Sequence, residues 1–321
     1  MRTPFLAILI LLFSSVASAA DRAPRVAGVM VDGASLHTRS LGTGPIAIVL
    51  HGGPDFDHRY LLPAFDEFGD LFELVYYDQR GRGRSANGVR AEDVTLASEL
   101  RDLDAVRRHY GSDQAILIGH SWGTVLALEY ALRHPTHVSR LILMNPAPAS
   151  AADLELLRSH YAKKLGAEAL EQQRAILKSA PYVAGDPEAV AARYRIHFRP
   201  AFAREDSYRL LTAAMESEFR RQGKQGILKA RAIEDRLYLD TWSRAGYDLH
   251  PKLSELQIPT LVVAGLEDFI PAPVAEHIAT AIPDATLAKI PNCGHFSYLE
   301  CPIELRAELI AFMRLRRASL H

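Results

Sequence analysis

Residues 115–123 have the sequence AILIGHSWG, and this stretch decides the fold. The apolar run 115–118 predicts a buried strand, and residues 124–132 predict a helix that begins directly after the turn. A serine on such a strand-to-helix turn is forced out at the carboxyl edge of a sheet, and glycines two residues to either side relieve the crowded backbone. A glycine-flanked serine alone is a weak signal. Between this strand and this helix, however, it indicates that Ser121 is a nucleophile.

Short apolar runs alternate with helical stretches on both sides of this turn. They are apolar on both faces, as in the run 46–50, which is typical of parallel strands covered by helices. Asp32 and Gly33 favour a tight hairpin between the first two runs, so the sheet is expected to begin antiparallel. We therefore predict an α/β fold with a mostly parallel sheet flanked by helices. The predicted strands are 26–31, 34–38, 46–50, 72–77, 115–118, 141–144, 260–264 and 286–290.

The alternation stops between residues 147 and 246, where Leu, Ala, Glu and Arg recur at helical spacing and no strand-like run occurs. This pattern predicts a helical cap of residues 147–246, inserted into a core formed by residues 20–146 and 247–321. Within the core, the spacing predicts a helix over 95–110, which Thr95 can cap.

The first 19 residues are predicted to be a signal peptide. Arg2 precedes the apolar run 5–13, and residues 17–19 offer the small side chains that signal peptidase recognises, with cleavage after Ala19 or one residue later. The run is shorter than the roughly 20 apolar residues that a membrane span needs, so a membrane anchor is not expected. The mature protein is therefore expected to be secreted or periplasmic.

Composition and charge favour a small-molecule or short-peptide partner. The 37 Lys and Arg of the 321-residue chain nearly balance 38 Asp and Glu, so there is no general attraction to nucleic acid or to an anionic membrane. No cofactor motif or zinc-binding pattern occurs, so neither a metal nor an organic cofactor is expected. Cys293 and Cys301 would meet an oxidising compartment after export, but their spacing does not show whether they pair.

A nucleophilic serine needs a general base. In folds with this strand-turn-helix element the acid and then the histidine follow the serine along the chain, which reduces the 13 histidines to very few. His295 follows the last predicted strand, so it is expected at the same carboxyl edge as Ser121. We therefore predict that His295 is the base.

Asp268 is the predicted acid that orients His295. It follows the strand 260–264 almost directly, which again places it at the carboxyl edge, and Glu267 is its rival one residue earlier. The position after the strand 141–144 offers only Asn145, whose amide cannot stabilise an imidazolium as a carboxylate does.

Two backbone N–H groups are predicted to stabilise the oxyanion of the tetrahedral intermediate. The loop after the strand 46–50 has the sequence HGGP at 51–54, whose glycines let backbone amides approach the substrate. Gly53 and Trp122 are the predicted donors. A tight turn without this role would use the same glycines.

Several segments together resemble the proline iminopeptidase-like branch of the α/β hydrolases. They are HGGP at 51–54 with DHRYL at 57–61, YDQRGRGRS at 77–85, GHSWG at 119–123, GHF at 294–296 and ECP at 300–302. The resemblance covers the core on both sides of the cap. It implies an α/β-hydrolase fold in which Ser121, Asp268 and His295 are the nucleophile, acid and base.

The second of these segments carries three neighbouring arginines, Arg80, Arg82 and Arg84. In related folds this turn is structural. We therefore expect no binding patch there, and we expect Asp78 to pair with one of the arginines.

Asp55 stands where members of this branch usually have glycine, and it adds a charge beside the predicted oxyanion loop. Aminopeptidases of this kind hold the free α-amine of the substrate with carboxylates of the cap, because a buried ammonium needs a paired charge. Glu216, within 215–219, is the candidate that the resemblance suggests. An exposed helix glutamate is the other interpretation of this residue.

The sequence therefore predicts a serine hydrolase that cleaves an amide or ester bond in a small substrate. The resemblance favours a proline iminopeptidase-like aminopeptidase or amidase, ahead of an exported carboxylesterase or lactonase. A small-molecule-binding relative without turnover is a third alternative, which an intact triad disfavours.

Overall fold

A computed structural model describes residues 23–314, so the predicted signal peptide at 1–19 lies outside the described residues. The strands are β1 (Arg25–Val31), β2 (Ala34–Gly42), β3 (Ile46–Leu50), β4 (Glu73–Tyr77), β5 (Ala115–His120), β6 (Val138–Met144), β7 (Thr260–Gly265) and β8 (Ala285–Ile290). They form one sheet in the order β1-β2-β4-β3-β5-β6-β7-β8. The pairs β1–β2 and β2–β4 are antiparallel and all other pairs are parallel, which confirms the predicted α/β fold.

The antiparallel start of the sheet follows from a two-residue turn. Val31 pairs with Ala34, and between them Asp32 and Gly33 have φ angles of 45° and 76°. Two consecutive positive φ angles are what a tight hairpin of this kind requires, and Asp-Gly is one of the few dipeptides that accept them.

Eleven α-helices accompany the sheet in the described part of the chain. They are α1 (Leu96–His109), α2 (Trp122–Arg133), α3 (Ala151–Leu165), α4 (Ala167–Lys178), α5 (Ala180–Val183), α6 (Pro187–Phe198), α7 (Glu205–Asp240), α8 (His250–Leu253), α9 (Ala272–Ala281), α10 (Ser297–Glu300) and α11 (Pro302–Arg314). Between residues 23 and 314, no helix has both the length and the apolar character needed to cross a bilayer.

The helices α3 to α7 all lie between β6 and β7, within the segment 147–246 that is predicted as the cap. A backbone bridge between Ser150 and Asp248 joins the two ends of this segment. The long helix α7 is interrupted at Gly223, where φ is 64°. This break divides α7 into two helical parts.

The centre of the sheet is apolar on both faces. Every residue of β5 and of β7 is buried, as expected for parallel strands between two layers of helices. Because β3, β5, β6, β7 and β8 run in the same direction, the loops that follow them meet at one edge of the sheet. Ser121, Asp268 and His295 all follow these strands.

Helix α1 begins at a capping box. The Thr95 side chain accepts a hydrogen bond from the Ser98 N–H, and the Ser98 hydroxyl accepts one from the Thr95 N–H. The predicted cap at Thr95 is therefore present. Glu99, which follows Ser98 in the chain, is fully buried and takes no part in this capping box.

Glu99 belongs to a set of buried ion pairs that hold the turn after β4. Its Oε1 lies 2.6 Å from Arg82 Nη1, and Asp102 accepts a 2.8 Å hydrogen bond from Arg80 Nε. The expectation that Asp78 pairs with an arginine side chain is wrong. The Asp78 carboxylate bonds instead to His58 Nδ1 at 2.6 Å and accepts the backbone N–H of Arg84, because the turn folds back over the preceding loop.

Removal of one partner of a buried pair should be costly. We expect Glu99→Ala to lower the free energy of unfolding by about 3–5 kcal/mol, because the Arg82 charge stays buried without its partner. The matched control is Asp93→Ala in the exposed Arg90–Asp93 pair, which should change stability little. Urea denaturation of both variants measures the difference, and equal losses would contradict a structural role for the buried pair.

Candidate active site

Ser121 occupies a strained turn between β5 and α2. Its φ and ψ are 54° and −123°, a conformation that non-glycine residues rarely adopt. A Cβ at Gly119 would lie 2.6 Å from the Gly123 carbonyl oxygen, and a Cβ at Gly123 would lie 2.0 Å from the Leu50 carbonyl oxygen. Neither position has room for a side chain, which explains why glycines flank Ser121.

His295 and Asp268 form a buried pair. The His295 Nδ1 lies 2.8 Å from Asp268 Oδ2 and 3.0 Å from Oδ1, and both side chains are almost inaccessible to solvent. A carboxylate at this distance makes Nδ1 the protonated nitrogen of the ring. Nε2 is then the nitrogen that can accept a proton.

Asp268 is held by donors of its own. Its Oδ1 accepts the Ile270 N–H at 2.9 Å, and its Oδ2 accepts a 3.0 Å hydrogen bond from Asn145 Nδ2. Glu267, the rival acid, is about half exposed, and its Oε2 lies 3.9 Å from Lys164 Nζ. The structure therefore places Asp268, and not Glu267, against His295.

Asn145 has a positioning role that sequence reasoning missed. Besides Asp268, its amide donates to the Gly294 carbonyl oxygen at 3.0 Å, and its Oδ1 accepts the Ser297 hydroxyl at 2.8 Å. Asn145 thus links the acid to the loop that carries His295. The sequence signal that could have revealed this role is the position of Asn145 directly after β6. This position lies at the same edge of the sheet as the loops that carry Ser121, Asp268 and His295.

The loop of His295 is tied to its surroundings by backbone bonds. The His295 N–H donates to the Ala201 carbonyl oxygen at 2.7 Å, and the Gly294 N–H donates to Glu300 Oε2 at 2.8 Å. Cys293 and Cys301, which enclose this loop, form a disulfide with a Cα–Cα distance of 6.1 Å. The question that their spacing left open is thereby answered.

A chain of hydrogen bonds connects the loops around Ser121. The Gly52 N–H donates to Tyr60 Oη at 2.6 Å, and Tyr60 Oη lies 2.7 Å from His120 Nδ1. His120 Nε2 in turn lies 2.9 Å from the His295 carbonyl oxygen. Since a carbonyl only accepts, Nε2 carries the His120 proton and Tyr60 donates to Nδ1. Burial lowers the pKa of His120 well below its usual value, in agreement with this neutral form.

The predicted oxyanion donors are Gly53, in the loop after β3, and Trp122, which follows Ser121 directly. Gly53 has a φ of 50° and lines the same cavity as Ser121. Trp122 is the first residue of α2, where backbone N–H groups have no partner within the helix. The Gly52 N–H is already bonded to Tyr60, whereas the Gly53 N–H has no acceptor among residues 23–314.

Ser121 and His295 open onto one cavity of about 140 Å³, here called the Ser121 cavity. A neighbouring cavity of about 320 Å³ shares the side chains of Phe56 and Tyr60 with it. The Ser121 cavity is lined by Gly53, Asp55, Phe56, Tyr60, His120, Ser121, Arg193, Tyr194, His197, Phe198, Glu234, Phe269, His295 and Phe296.

Two carboxylates face the Ser121 cavity. Asp55 Oδ2 accepts the Tyr194 hydroxyl at 2.6 Å, and burial raises the pKa of Asp55. Glu234 has no hydrogen-bond or ion-pair partner among residues 23–314. Burial, and then the charge of Asp55, raise the pKa of Glu234 to about 8. No group of three His, Cys, Asp or Glu side chains in this same range is arranged to hold a metal ion.

Glu216, the sequence candidate for amine binding, lies elsewhere. Its carboxylate bonds to Arg195 and lies 3.8 Å from Arg220, and it lines neither cavity. The prediction is corrected: the carboxylates that reach the Ser121 cavity are Asp55 and Glu234. Asp55 was noticed in the sequence only as a departure from a family pattern, and no sequence signal distinguished Glu234 from the other charges of α7.

One family model, described as the alpha/beta hydrolase fold, matches residues 45–302. The chain is 28% identical over 287 residues to proline iminopeptidase PfmaB of Pestalotiopsis fici, a match that covers 85% of this chain and 93% of that protein. It is 27% identical over 270 residues to the proline iminopeptidase of Saccharolobus solfataricus, with 82% of each chain covered. Among solved structures, Est816, described as an N-acyl homoserine lactone degrading enzyme, has a TM-score of 0.63 at 23% identity, over 89% of this chain and 100% of that one. At this identity the structural likeness shows the fold alone.

Proposed function

The chain belongs to the α/β-hydrolase family, and from this premise we propose that it is a serine hydrolase whose nucleophile is Ser121. Ser121 Oγ attacks the carbonyl carbon of the substrate while His295 Nε2 takes its proton. Asp268 holds the imidazole in the required tautomer and stabilises the imidazolium. The N–H groups of Gly53 and Trp122 bind the oxyanion.

The second half of the reaction uses the same groups. The His295 imidazolium gives its proton to the leaving group as the bond to the carbonyl carbon breaks, and an acyl-enzyme on Ser121 is left. Water then attacks this ester, with His295 as base, and releases the acid. Neither step calls for a metal ion or an organic cofactor.

For the substrate, we propose a short peptide or amino-acid amide with a free N-terminal amine. The observation that supports it is the presence of two carboxylates, Asp55 and Glu234, in the same buried cavity as Ser121. Glu234 has no bonded partner among residues 23–314, and a substrate ammonium would supply one. The proline iminopeptidase relatives agree with this class of substrate. The 140 Å³ cavity has room for one small residue, and the neighbouring cavity could take the rest of the peptide.

An ester or lactone hydrolase is the second candidate. With a pKa of about 8, Glu234 is mostly protonated at neutral pH, so the charge of Asp55 is balanced by the nearby Arg193 without any ligand amine. A cavity that is neutral in this way also suits an uncharged substrate.

Kinetics on three substrates separate the two candidates. We expect kcat/KM to be highest for prolyl p-nitroanilide, and lower for its N-acetylated form and for p-nitrophenyl acetate. Asp55→Asn and Glu234→Gln should each raise KM for the free-amine anilide about tenfold to a hundredfold. Asp55→Asn removes a negative charge, and Glu234→Gln removes a carboxyl group that a bound ammonium would hold in its ionised form. Glu216→Gln is the matched control and should leave KM unchanged. Preference for the ester, with indifference to N-acetylation, would discard the aminopeptidase and favour the second candidate.

We also propose that the enzyme is exported, to the periplasm or the medium. The predicted signal peptide supports this, and so does the Cys293–Cys301 disulfide, because disulfides persist mainly in oxidising compartments.

A further inference from the structure

Arg193, on α6, lines the Ser121 cavity, and its guanidinium makes no direct bond to a protein acid among residues 23–314. Arg193 forms no ion pair or hydrogen bond with any other residue between 23 and 314, and its Nε is buried without a partner. Its guanidinium carbon lies 4.3 Å from the centre of the Tyr194 ring, against the aromatic face. Because its N–H groups have no acceptor in the described part of the protein, the guanidinium is free to donate hydrogen bonds to an anionic ligand.

Within residues 23–314, three arginines are more deeply buried than Arg193, and each of them forms an ion pair. Arg80 bonds to Asp102, Arg82 to Glu99 and Arg107 to Asp104. Arg193 differs from them in position as well as in pairing, because it lines the Ser121 cavity and also the wall of a small adjoining cavity of about 30 Å³. A charged side chain that lines a cleft and has no hydrogen-bond acceptor in the protein is a candidate for ligand binding.

The nearest acids, Asp55 and Glu234, act on the charge of Arg193 through space but do not bond to it. Asp55 bonds to the Tyr194 hydroxyl, and Glu234 has a pKa of about 8, so its protonated form prevails at neutral pH. Asp55, Glu234 and Arg193 nevertheless share one wall, since all three line both the Ser121 cavity and the small adjoining cavity. Groups that bind an ammonium and a group that binds a carboxylate are therefore side by side.

We propose that Arg193 binds a carboxylate of the substrate, so that the residue held in the Ser121 cavity is an acidic amino-acid residue with both a free ammonium and a free carboxylate. This inference rests on the proposed aminopeptidase function. A guanidinium binds a carboxylate through two parallel hydrogen bonds, which makes it suited to this recognition. The bond that breaks is the amide bond to the leaving amine, and water is consumed, as in the proposed hydrolysis.

Two kinds of substrate share this chemistry. In one, an N-terminal aspartate or glutamate is linked through its α-carboxyl, and its side-chain carboxylate meets Arg193. In the other, the residue is linked through its side-chain carboxyl, as in a β-aspartyl or γ-glutamyl amide, and its α-carboxylate meets Arg193. Both place the two charged groups on one residue, as the shared wall requires.

The test compares α-glutamyl, γ-glutamyl and glutaminyl p-nitroanilides on the wild-type enzyme. Glutamine has the size of glutamate but carries no side-chain charge, so the glutaminyl substrate is the neutral control. We expect kcat/KM for one of the glutamyl substrates to be about tenfold or more above that for the glutaminyl substrate. Which glutamyl substrate is preferred identifies the linkage. Equal or faster turnover of the glutaminyl substrate than of both glutamyl substrates would overturn the proposal.

Variants of Arg193 assign the preference to this side chain. Arg193→Gln should raise KM for the preferred glutamyl anilide about tenfold to a hundredfold, with little change for the glutaminyl anilide, and Arg193→Lys should restore part of the loss. Arg195→Gln, an exposed neighbour on α6 that lines neither cavity, is the matched control and should behave as wild type. An equal loss on charged and neutral substrates would overturn the role of Arg193.

A competition assay keeps the inference separate from the function on which it rests, and it needs no variant. Glutamate should inhibit wild-type ester hydrolysis at a concentration about tenfold lower than glutamine does. If glutaminyl and prolyl anilides are cleaved but neither assay distinguishes acidic from neutral ligands, this inference fails alone. If no anilide is cleaved and the ester is, the aminopeptidase function fails as well.

Discussion

Ser121→Ala is expected to lower kcat/KM on the best substrate by about 10⁴-fold to 10⁶-fold, with the fold intact. Removal of the nucleophile leaves only substrate binding and the oxyanion donors, which by themselves provide a small part of the catalysis in triad enzymes. Steady-state kinetics on the purified variant measure the loss, and the melting temperature reports whether the protein has stayed folded.

The control for this variant is a serine of similar chemistry in another place. Ser254 is exposed, and its hydroxyl bonds only locally, to the Pro251 carbonyl oxygen at 2.8 Å. Ser254→Ala should retain full activity. Activity of the Ser121 variant within tenfold of wild type would show that another group carries out the attack.

Asp268→Asn is expected to lower kcat by about 10⁴-fold. Both oxygens of Asp268 accept N–H groups, one from Ile270 and one from Asn145, in addition to His295 Nδ1. An amide has only one oxygen, so its NH₂ group must face one of these donors, and it cannot stabilise the imidazolium that forms during the reaction.

Glu267→Gln is the matched control, since it makes the same change one residue earlier. Glu267 is exposed and has no contact with His295, so this variant should keep nearly full kcat. A large loss for Glu267→Gln together with a small one for Asp268→Asn would reverse the assignment of the acid.

The strands could be predicted because each buried run is apolar and ends at turn residues. The ends of a strand do not follow from this pattern where only one face of the strand is buried. The run predicted at 34–38 continues to Gly42 as β2, because its later residues alternate between faces and pair with β4. The run at 141–144 begins earlier, at Val138, since the polar start of β6 still pairs with β5. Pairing across the sheet, which a local pattern does not contain, sets these limits.

The expected placement of Ser121, Asp268 and His295 at one edge follows from a rule of topology, because each comes after a parallel strand. No comparable rule predicts which charged residues line the Ser121 cavity. Arg193 and Glu234 lie on helices rich in charged residues, where a single charge is indistinguishable from the solvated face. Which charges turn inward depends on how α6 and α7 pack against the core, including the break at Gly223. Sequence reasoning therefore chose Glu216, which faces Arg195 instead.

The most direct test of the central claim, that Ser121 is the nucleophile of a working hydrolase, is to label the mature protein with a fluorophosphonate and to locate the adduct by peptide mass spectrometry. A serine activated by a neighbouring base reacts with such a probe, whereas an ordinary hydroxyl does not. We predict one adduct per chain, on the peptide that contains Ser121, and none on the Ser121→Ala variant. An unlabelled wild-type protein, or an adduct on a different residue, would contradict the account and would favour a ligand-binding relative without turnover or a different nucleophile.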